Sequence, residues 1–216
     1  MAITASDVAK LRAQTGAGIL DCKKALEETN GDFETAIDLL RKRGITKAAK
    51  RADKVAAEGT VISYIHGAGR IGVLVEVNCE TDFVARTDSF KNLAMDIAMH
   101  IAAVAPKYLS REEVSVEELE REKAVYRDQL ANEGKPAEML EKIVEGKLAK
   151  FYAEICLLEQ IFIKDETKTI EGLLNEKVGE IGEKITIRRF ARYELGEGIE
   201  KPVVDFVAEV GNELNK

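Results

Sequence analysis

The sequence lacks tryptophan and contains few other aromatic residues and only three prolines. Aromatic residues make up 6% of the 216 residues, so a core must be built mainly from Ala, Val, Ile and Leu. No apolar run approaches the roughly 18 residues of a membrane-spanning helix. The first residues lack the basic and apolar regions of a secretory signal. We therefore expect a soluble, cytoplasmic protein that is long enough to bury a core.

Cysteine and histidine are also scarce. Cys22, Cys79 and Cys156 lie far apart and form no CxxC pair, which predicts free thiols that behave as small apolar residues. The two histidines, His66 and His100, have no neighbouring ligand set and no motif that would place a nucleophile beside them. We therefore predict no metal site, no cofactor and no enzymatic activity.

Positive charge is in the minority over the whole chain. The 32 Lys and Arg residues against 39 Asp and Glu residues give a net charge of −7. Because phosphate binding needs a concentrated basic surface, we expect no direct contact with nucleic acid. Residues 41–54 are locally basic, and such runs are usually solvated helix faces or linkers. The glycine-rich stretches at 15–18 and 196–201 lack the spacing of a phosphate-binding loop.

The first 44 residues predict three short helices. Thr4 or Ser6 can begin the first helix and Asp32 the third, while Asn30 and Gly31 end the second. Helices this short are not stable alone, so they must pack as a bundle.

After residue 59 the pattern changes to alternating apolar and polar residues. Residues 60–66 and 71–78 flank a glycine-rich turn at 67–70, which predicts a β-hairpin. A loop at 79–88 and a helix at about 89–105 follow. The apolar stripe of that helix comprises Leu93, Ile97, Ile101 and Val104.

Residues 114–155 predict two antiparallel helices, with Val116 beginning the apolar seam of the first. Only about three heptads fit on each helix, so a short hairpin is expected. The remaining segments predict a strand near 155–163, a helix around 170–178, a strand at 185–193 and a helix around 203–214. The fold class expected from these elements is α+β.

The loop predicted at 79–88 contains an aromatic residue beside an acid, in the sequence Thr81-Asp82-Phe83-Val84. Phe83 is either a plug for the core or an exposed wedge next to a charge. Because large apolar side chains are usually buried, residue chemistry alone favours the plug.

Three segments in order carry a resemblance to a known family. They are TGAGILDCKKALEETNGDFETAI, EVNCETDFVARTD and GEGIEKPVVDFVAEV. Together they resemble elongation factor Ts, the family of guanine-nucleotide exchange factors for elongation factor Tu. The similarity covers essentially the whole chain.

This resemblance implies a domain organisation. Residues 1–55 would be a ubiquitin-associated-like three-helix domain with its linker. Residues 56–195 would be the α+β core, an antiparallel sheet with packed helices, and a coiled-coil hairpin would be inserted at about 114–155. Residues 196–216 would be a C-terminal module with a short helix. Longer members of the family have two core units where this chain has one, and pairing as a homodimer would compensate.

The resemblance also implies site residues. Phe83 would enter an apolar cleft on elongation factor Tu, and Asp82 would engage neighbouring polar groups. This favours the wedge over the plug. The four residues linked in the family to loss of Mg²⁺ from the partner are Thr81, Asp82, Phe83 and Val84.

A second contact is implied in the N-terminal domain. Leu11, Ile19 and Leu20 lie where the family meets the G domain of its partner, although burial in the bundle core explains them equally well. The expected function is exchange: binding the GDP form of elongation factor Tu and promoting release of Mg²⁺ and GDP so that GTP binds. The alternative is a non-enzymatic adaptor that binds another protein through the three-helix domain.

Overall fold

The computed structural model describes residues 3–43, 47–133 and 137–199. α-Helices and antiparallel strands combine within these ranges, which confirms the predicted α+β class. The helices are α1 (Ala5–Thr15), α2 (Ile19–Glu28), α3 (Phe33–Lys42), α4 (Lys47–Arg51), α5 (Asp82–Ala85), α6 (Asp88–Val104), α7 (Val116–Asn132), α8 (Ala137–Ile155) and α9 (Ile170–Ile181). The strands are β1 (Glu58–His66), β2 (Ile71–Cys79), β3 (Ile161–Phe162), β4 (Asp165–Thr169) and β5 (Thr186–Glu194).

Helices α1, α2 and α3 pack around a core of their own, which confirms the predicted bundle. Thr4 begins α1 through a capping box, in which its hydroxyl accepts from the Asp7 N–H and the Asp7 carboxylate accepts from the Thr4 N–H. Gly16 ends the helix with a φ of 63°, a conformation that favours glycine. The buried residues are Val8, Leu11, Ala17, Cys22, Ala25, Leu26, Ala36 and Leu40.

The bundle is joined to the rest of the chain through α9. Helix α1 packs against α9 beside Gly179, where a Cβ would make ordinary van der Waals contact with the end of α1, 3.6 Å from the Gly16 nitrogen. An ion pair between Arg41 of α3 and Glu171 of α9 adds a polar contact. The bundle therefore sits directly on a helix of the core.

The main sheet has the strand order β1-β2-β5, with both pairs antiparallel, and its first two strands form the predicted hairpin. Val73, Val75 and Val77 of β2 point to the buried face, which α6 covers. The alternate residues form the opposite, exposed face. Apolar side chains on that face are Val61, Ile65, Leu74 and Tyr193.

Helices α7 and α8 pack along each other as a hairpin. Leu119 near the start of α7 lies in one cluster with Phe151 near the end of α8, so the helices run antiparallel. Arg127 and Glu141 form an ion pair across them, with Nε and Oε1 2.9 Å apart. The expectation that Val116 belongs to the apolar seam was wrong. Val116 is exposed because the buried face of α7 begins one turn later, at Leu119.

Three other expectations need correction. The segment 79–88 is not an open loop, because it contains the single turn α5. The strand predicted at 155–163 is mostly absent, since α8 continues to Ile155 and a 3₁₀ turn follows at Leu157–Glu159. Val104 is partly exposed at the end of α6. The helix predicted at 203–214 and the hairpin connection at 134–136 lie outside the described residues.

A buried histidine ties α6 to the base of the helical hairpin. His100 is fully buried, and its Nε2 lies 3.0 Å from Oε1 of Gln160. The Ile163 N–H lies 3.4 Å from His100 Nδ1, so Nδ1 accepts and Nε2 carries the proton. Gln160 in turn donates to the Glu154 carbonyl at 2.7 Å. Burial lowers the pKa of His100, so the neutral form is the one that the fold accommodates.

We expect His100 to make folding stability fall under mildly acidic conditions. The unfolded chain binds a proton near the ordinary histidine value of 6.5, and the folded chain binds it only at lower pH. The stabilisation is therefore present above 6.5 and is lost as the pH falls through the lowered folded pKa. Urea unfolding at about pH 7.5 and about pH 5.5 measures this loss. His100→Asn should reduce the pH dependence of the free energy of unfolding, whereas the exposed control His66→Asn should retain it. An unchanged pH dependence in His100→Asn would show that His100 is not the group responsible.

Candidate partner-binding site

Residues 81–84 lie where β2 leaves the sheet. Thr81 begins the single turn α5, because its hydroxyl accepts from the Val84 N–H at 3.4 Å. Ala85 is buried against the core, and Val84 packs partly against the same cluster. The inner side of the turn is therefore anchored by apolar contacts, while its outer side faces solvent.

Phe83 occupies the outer side of the turn. Its side chain is 80% exposed, so the core-plug interpretation was wrong. The neighbouring Asp82 carboxylate pairs with the Arg86 guanidinium at 2.9 Å, one turn further along. The site therefore presents an aromatic ring in water beside an acid that already has a partner within the chain.

The backbone below Phe83 is held by a distant carboxylate. Glu183 accepts from the Glu80 N–H at 3.2 Å, the Thr81 N–H at 3.0 Å and the Thr81 hydroxyl at 2.7 Å. Sequence reasoning missed Glu183. It is separated from Thr81 by 102 residues, and an acid in a chain this rich in acids carries no local signal.

The side chain of Glu80 in turn binds the backbone next to Glu183. Its carboxylate accepts from the Lys184 N–H at 2.7 Å and pairs with the Arg51 guanidinium at 2.7 Å. The hydrogen bond from the Lys184 backbone is the main cause that lowers the pKa of Glu80, and the positive charge of Arg51 acts in the same direction. Glu80 is therefore ionised at neutral pH.

Cys79 is the nearest group to the turn with potential reactivity. Its thiol is buried and donates to the Thr81 carbonyl at 3.2 Å. Burial raises the pKa of Cys79 to about 11, and the charge of Glu183 acts in the same direction. The thiol remains protonated at neutral pH, so it is a packing residue and a poor nucleophile.

The three candidate contacts of the N-terminal bundle differ in exposure. Leu11 is fully buried in the bundle core, so a direct contact through its side chain is corrected to a structural role. Ile19 and Leu20 are 57% and 73% exposed on the first turn of α2. These two side chains are available to a partner, whereas Leu11 supports the helix beside them.

Among residues 3–43, 47–133 and 137–199, His, Cys, Asp and Glu side chains form no group of three or more that could hold a metal ion. No helix in the described part of the chain is long and apolar enough to cross a membrane.

Comparison with known proteins decides the family. The family model described as elongation factor TS matches residues 5–197, which include the turn at 81–84 and most of the bundle. The chain belongs to the elongation factor Ts family. It is 62% identical over 212 residues to elongation factor Ts of Syntrophomonas wolfei subsp. wolfei, covering 98% of this chain and 99% of the relative.

Other relatives match over similar lengths. Elongation factor Ts of Desulforamulus reducens is 58% identical over 98% of this chain and 98% of its own length. Elongation factor Ts of Geobacter sulfurreducens is 60% identical over 97% of each chain. This full-length similarity supports a role as nucleotide exchange factor in translation elongation, which is a binding role and not catalysis of a chemical reaction.

Proposed function

We propose that this member of the elongation factor Ts family binds the GDP form of elongation factor Tu in the cytoplasm and promotes release of Mg²⁺ and then GDP. GTP can then occupy the emptied site. The observation that carries the proposal is the 80% exposure of Phe83 on a turn that is anchored from below. Burying an apolar ring that the fold holds in water lowers the free energy of the complex with a partner.

Burial of Phe83 supplies the driving force at the contact. Fully burying a phenylalanine side chain is worth about 1.5–3 kcal/mol. Asp82 lies beside the ring and can exchange its internal partner Arg86 for polar groups on elongation factor Tu. Thr81 and Val84 hold the turn while this happens, through the cap and the packing described above.

Loss of Mg²⁺ from elongation factor Tu links this contact to GDP. Without the metal, the charge of the diphosphate is poorly compensated, so GDP leaves faster. Binding must be reciprocal: if this protein weakens GDP binding by some factor, GDP weakens the binding of this protein by the same factor. Exchange therefore requires no chemical step, only different affinities for two states of the partner.

Ile19 and Leu20 provide a second contact with the G domain of the partner. Both are exposed at the start of α2, and the bundle that carries them is packed on α9.

We assign residues 1–55 to a ubiquitin-associated-like domain and linker, 56–195 to the core and 196–216 to a C-terminal module. The hairpin at about 114–155 is assigned as a coiled coil outside the exchange contacts.

The exposed sheet face is proposed as the interface of a homodimer. Ile65 and Tyr193 lie on either side of Gly72 on this face, and Leu74 lies next to them. A second copy of the same face would cover these side chains by sheet-on-sheet packing. The chain has one core unit, so a second copy would supply the layer that an additional unit would otherwise provide.

The adaptor function remains the second candidate, because Ile19 and Leu20 are exposed on a bundle that has its own core. Neither proposal includes direct contact with nucleic acid, given the net charge of −7. Capture of partners from a cytosolic extract separates the two functions. The exchange proposal requires elongation factor Tu among the captured proteins, whereas an adaptor would recover another protein in its place.

Phe83→Ala should slow release of labelled GDP from elongation factor Tu. The loss of burial corresponds to a decrease of roughly tenfold to a hundredfold at saturating concentrations of this protein. Stopped-flow fluorescence measures the rate. Thermal unfolding should change little, because the side chain is exposed. Met139→Ala, also an exposed apolar position, is the matched control and should exchange normally; a normal rate in Phe83→Ala would remove the ring from the mechanism.

Leu20→Ala should affect binding more than the maximal rate. Removing part of a contact that is remote from Phe83 raises the concentration needed for half-maximal exchange, by roughly threefold to tenfold for a partly buried leucine. A titration of GDP release against protein concentration separates the two quantities. A lower maximal rate with an unchanged half-saturation point would contradict the assignment of Leu20 to affinity.

Substituting the exposed sheet face should abolish pairing. Ile65→Asp and Tyr193→Asp would each place a charge in the centre of the proposed dimer interface, where it would be desolvated without a partner. Sedimentation equilibrium should show a dimer for the natural chain and a monomer for either variant. A monomeric natural chain at all concentrations tested would exclude this interface.

A further inference from the structure

The turn that carries Phe83 is too short to hold its own conformation. Helix α5 has only four residues, and a single helical turn is unstable without external support. Apolar packing of Ala85 and Val84 supports its C-terminal side. Its N-terminal side depends on Thr81, whose hydroxyl begins the turn by accepting from the Val84 N–H.

Glu183 accepts three hydrogen bonds at the start of α5, two from Thr81 and one from Glu80. It accepts from the N–H groups of Glu80 and Thr81 through one oxygen and from the Thr81 hydroxyl through the other. Because the same hydroxyl donates to Glu183 and accepts from Val84, the carboxylate sets the orientation in which the hydroxyl can cap α5. Without Glu183, both the hydroxyl and the two N–H groups lose their acceptor.

The same contact extends to the segment after the bundle. Glu80 accepts from the Lys184 N–H and pairs with Arg51, and the Lys184 ammonium donates to the carbonyls of Ala52 and Lys54 at 2.6 and 3.0 Å. We call the set Glu80, Thr81, Glu183 and Lys184 the carboxylate clasp. It joins the segment after α4, the start of α5 and the connection between α9 and β5.

We propose that Glu183 is a positioning residue for Phe83. It does not contact the partner; it holds the start of α5 so that the Phe83 ring projects into solvent before elongation factor Tu arrives. Without the clasp, binding of elongation factor Tu would also have to order the turn. The conformational entropy lost in ordering it would reduce the free energy that binding makes available for exchange. The inference rests on the proposed exchange function and names the residue that prepares its site.

The test compares Glu183→Ala, Glu183→Gln, Phe83→Ala and the double variant Phe83→Ala/Glu183→Ala in the GDP-release assay. We expect Glu183→Ala to lower the maximal release rate roughly tenfold, with a smaller change in the half-saturating concentration. Glu183→Gln should recover part of the rate, because its amide oxygen can still accept from the two N–H groups. The control Glu159→Ala removes a carboxylate paired with Arg111 at the base of the hairpin and should exchange normally.

The double variant decides whether Glu183 acts through Phe83. If it does, Phe83→Ala/Glu183→Ala is no slower than Phe83→Ala alone, because the ring being positioned is already absent. If instead the two rate decreases multiply in the double variant, Glu183 acts independently of Phe83 and the inference is overturned. A normal maximal rate in Glu183→Ala would overturn it as well. If Glu183→Ala fails to fold, Glu183→Gln replaces it in the same cycle, since it removes the charge of the carboxylate and keeps an amide oxygen that can accept.

The outcomes separate this inference from the proposed function. A normal rate in Phe83→Ala contradicts the function of the ring itself. A slow Phe83→Ala together with a normal Glu183→Ala contradicts only the positioning role, and the exchange proposal stands.

Discussion

The proposed site depends on one constraint: a phenylalanine must be kept in water without the chain folding over it. An unsupported apolar side chain on a mobile loop would collapse onto the nearest apolar surface, because burial is favourable. Here the backbone on both sides of Phe83 is fixed, by the core packing of Ala85 on one side and by the Glu183 carboxylate on the other. The ring is held 80% exposed, so it is available to a partner.

The clasp also connects the two surfaces that we assign to the partner. Phe83 lies on the core and Leu20 on the bundle, and the chain between them passes through the segment that Lys184 holds. The bundle itself rests on α9, the helix that leads to Glu183. A fixed spacing between two contacts reduces the ordering that binding requires, so more of the contact free energy is available to distort the partner.

Much of the fold follows from local sequence patterns. The bundle, the hairpin of β1 and β2, and α6 were predictable because periodicity and turn residues agree in those segments. The region after α8 was not, because a short apolar run such as residues 155–163 fits a strand, a helix end or a 3₁₀ turn equally well. Tertiary contacts decide that choice, in this case the burial of Gln160 against His100.

The candidate site was predictable only in part. The exposure of Phe83 followed from family resemblance, since residue chemistry alone favoured burial. Leu11 was placed beside Ile19 and Leu20 by the same resemblance, although burial in the bundle core explained it equally well, and the structure places Leu11 in that core. Glu183 could not be found from sequence, because its role comes from a contact across 102 residues.

The absence of tryptophan provides the most direct test of the central claim. In Phe83→Trp the indole is the chain's only tryptophan, and its emission reports the environment of the wedge position. With emission from elongation factor Tu alone subtracted, the free protein should show the long-wavelength emission and ready acrylamide quenching of an indole in water. Saturating Tu-GDP should shift the emission to shorter wavelength and protect the indole from quenching. An indole that is already protected in the free protein, or that stays water-exposed in the complex, would contradict the account.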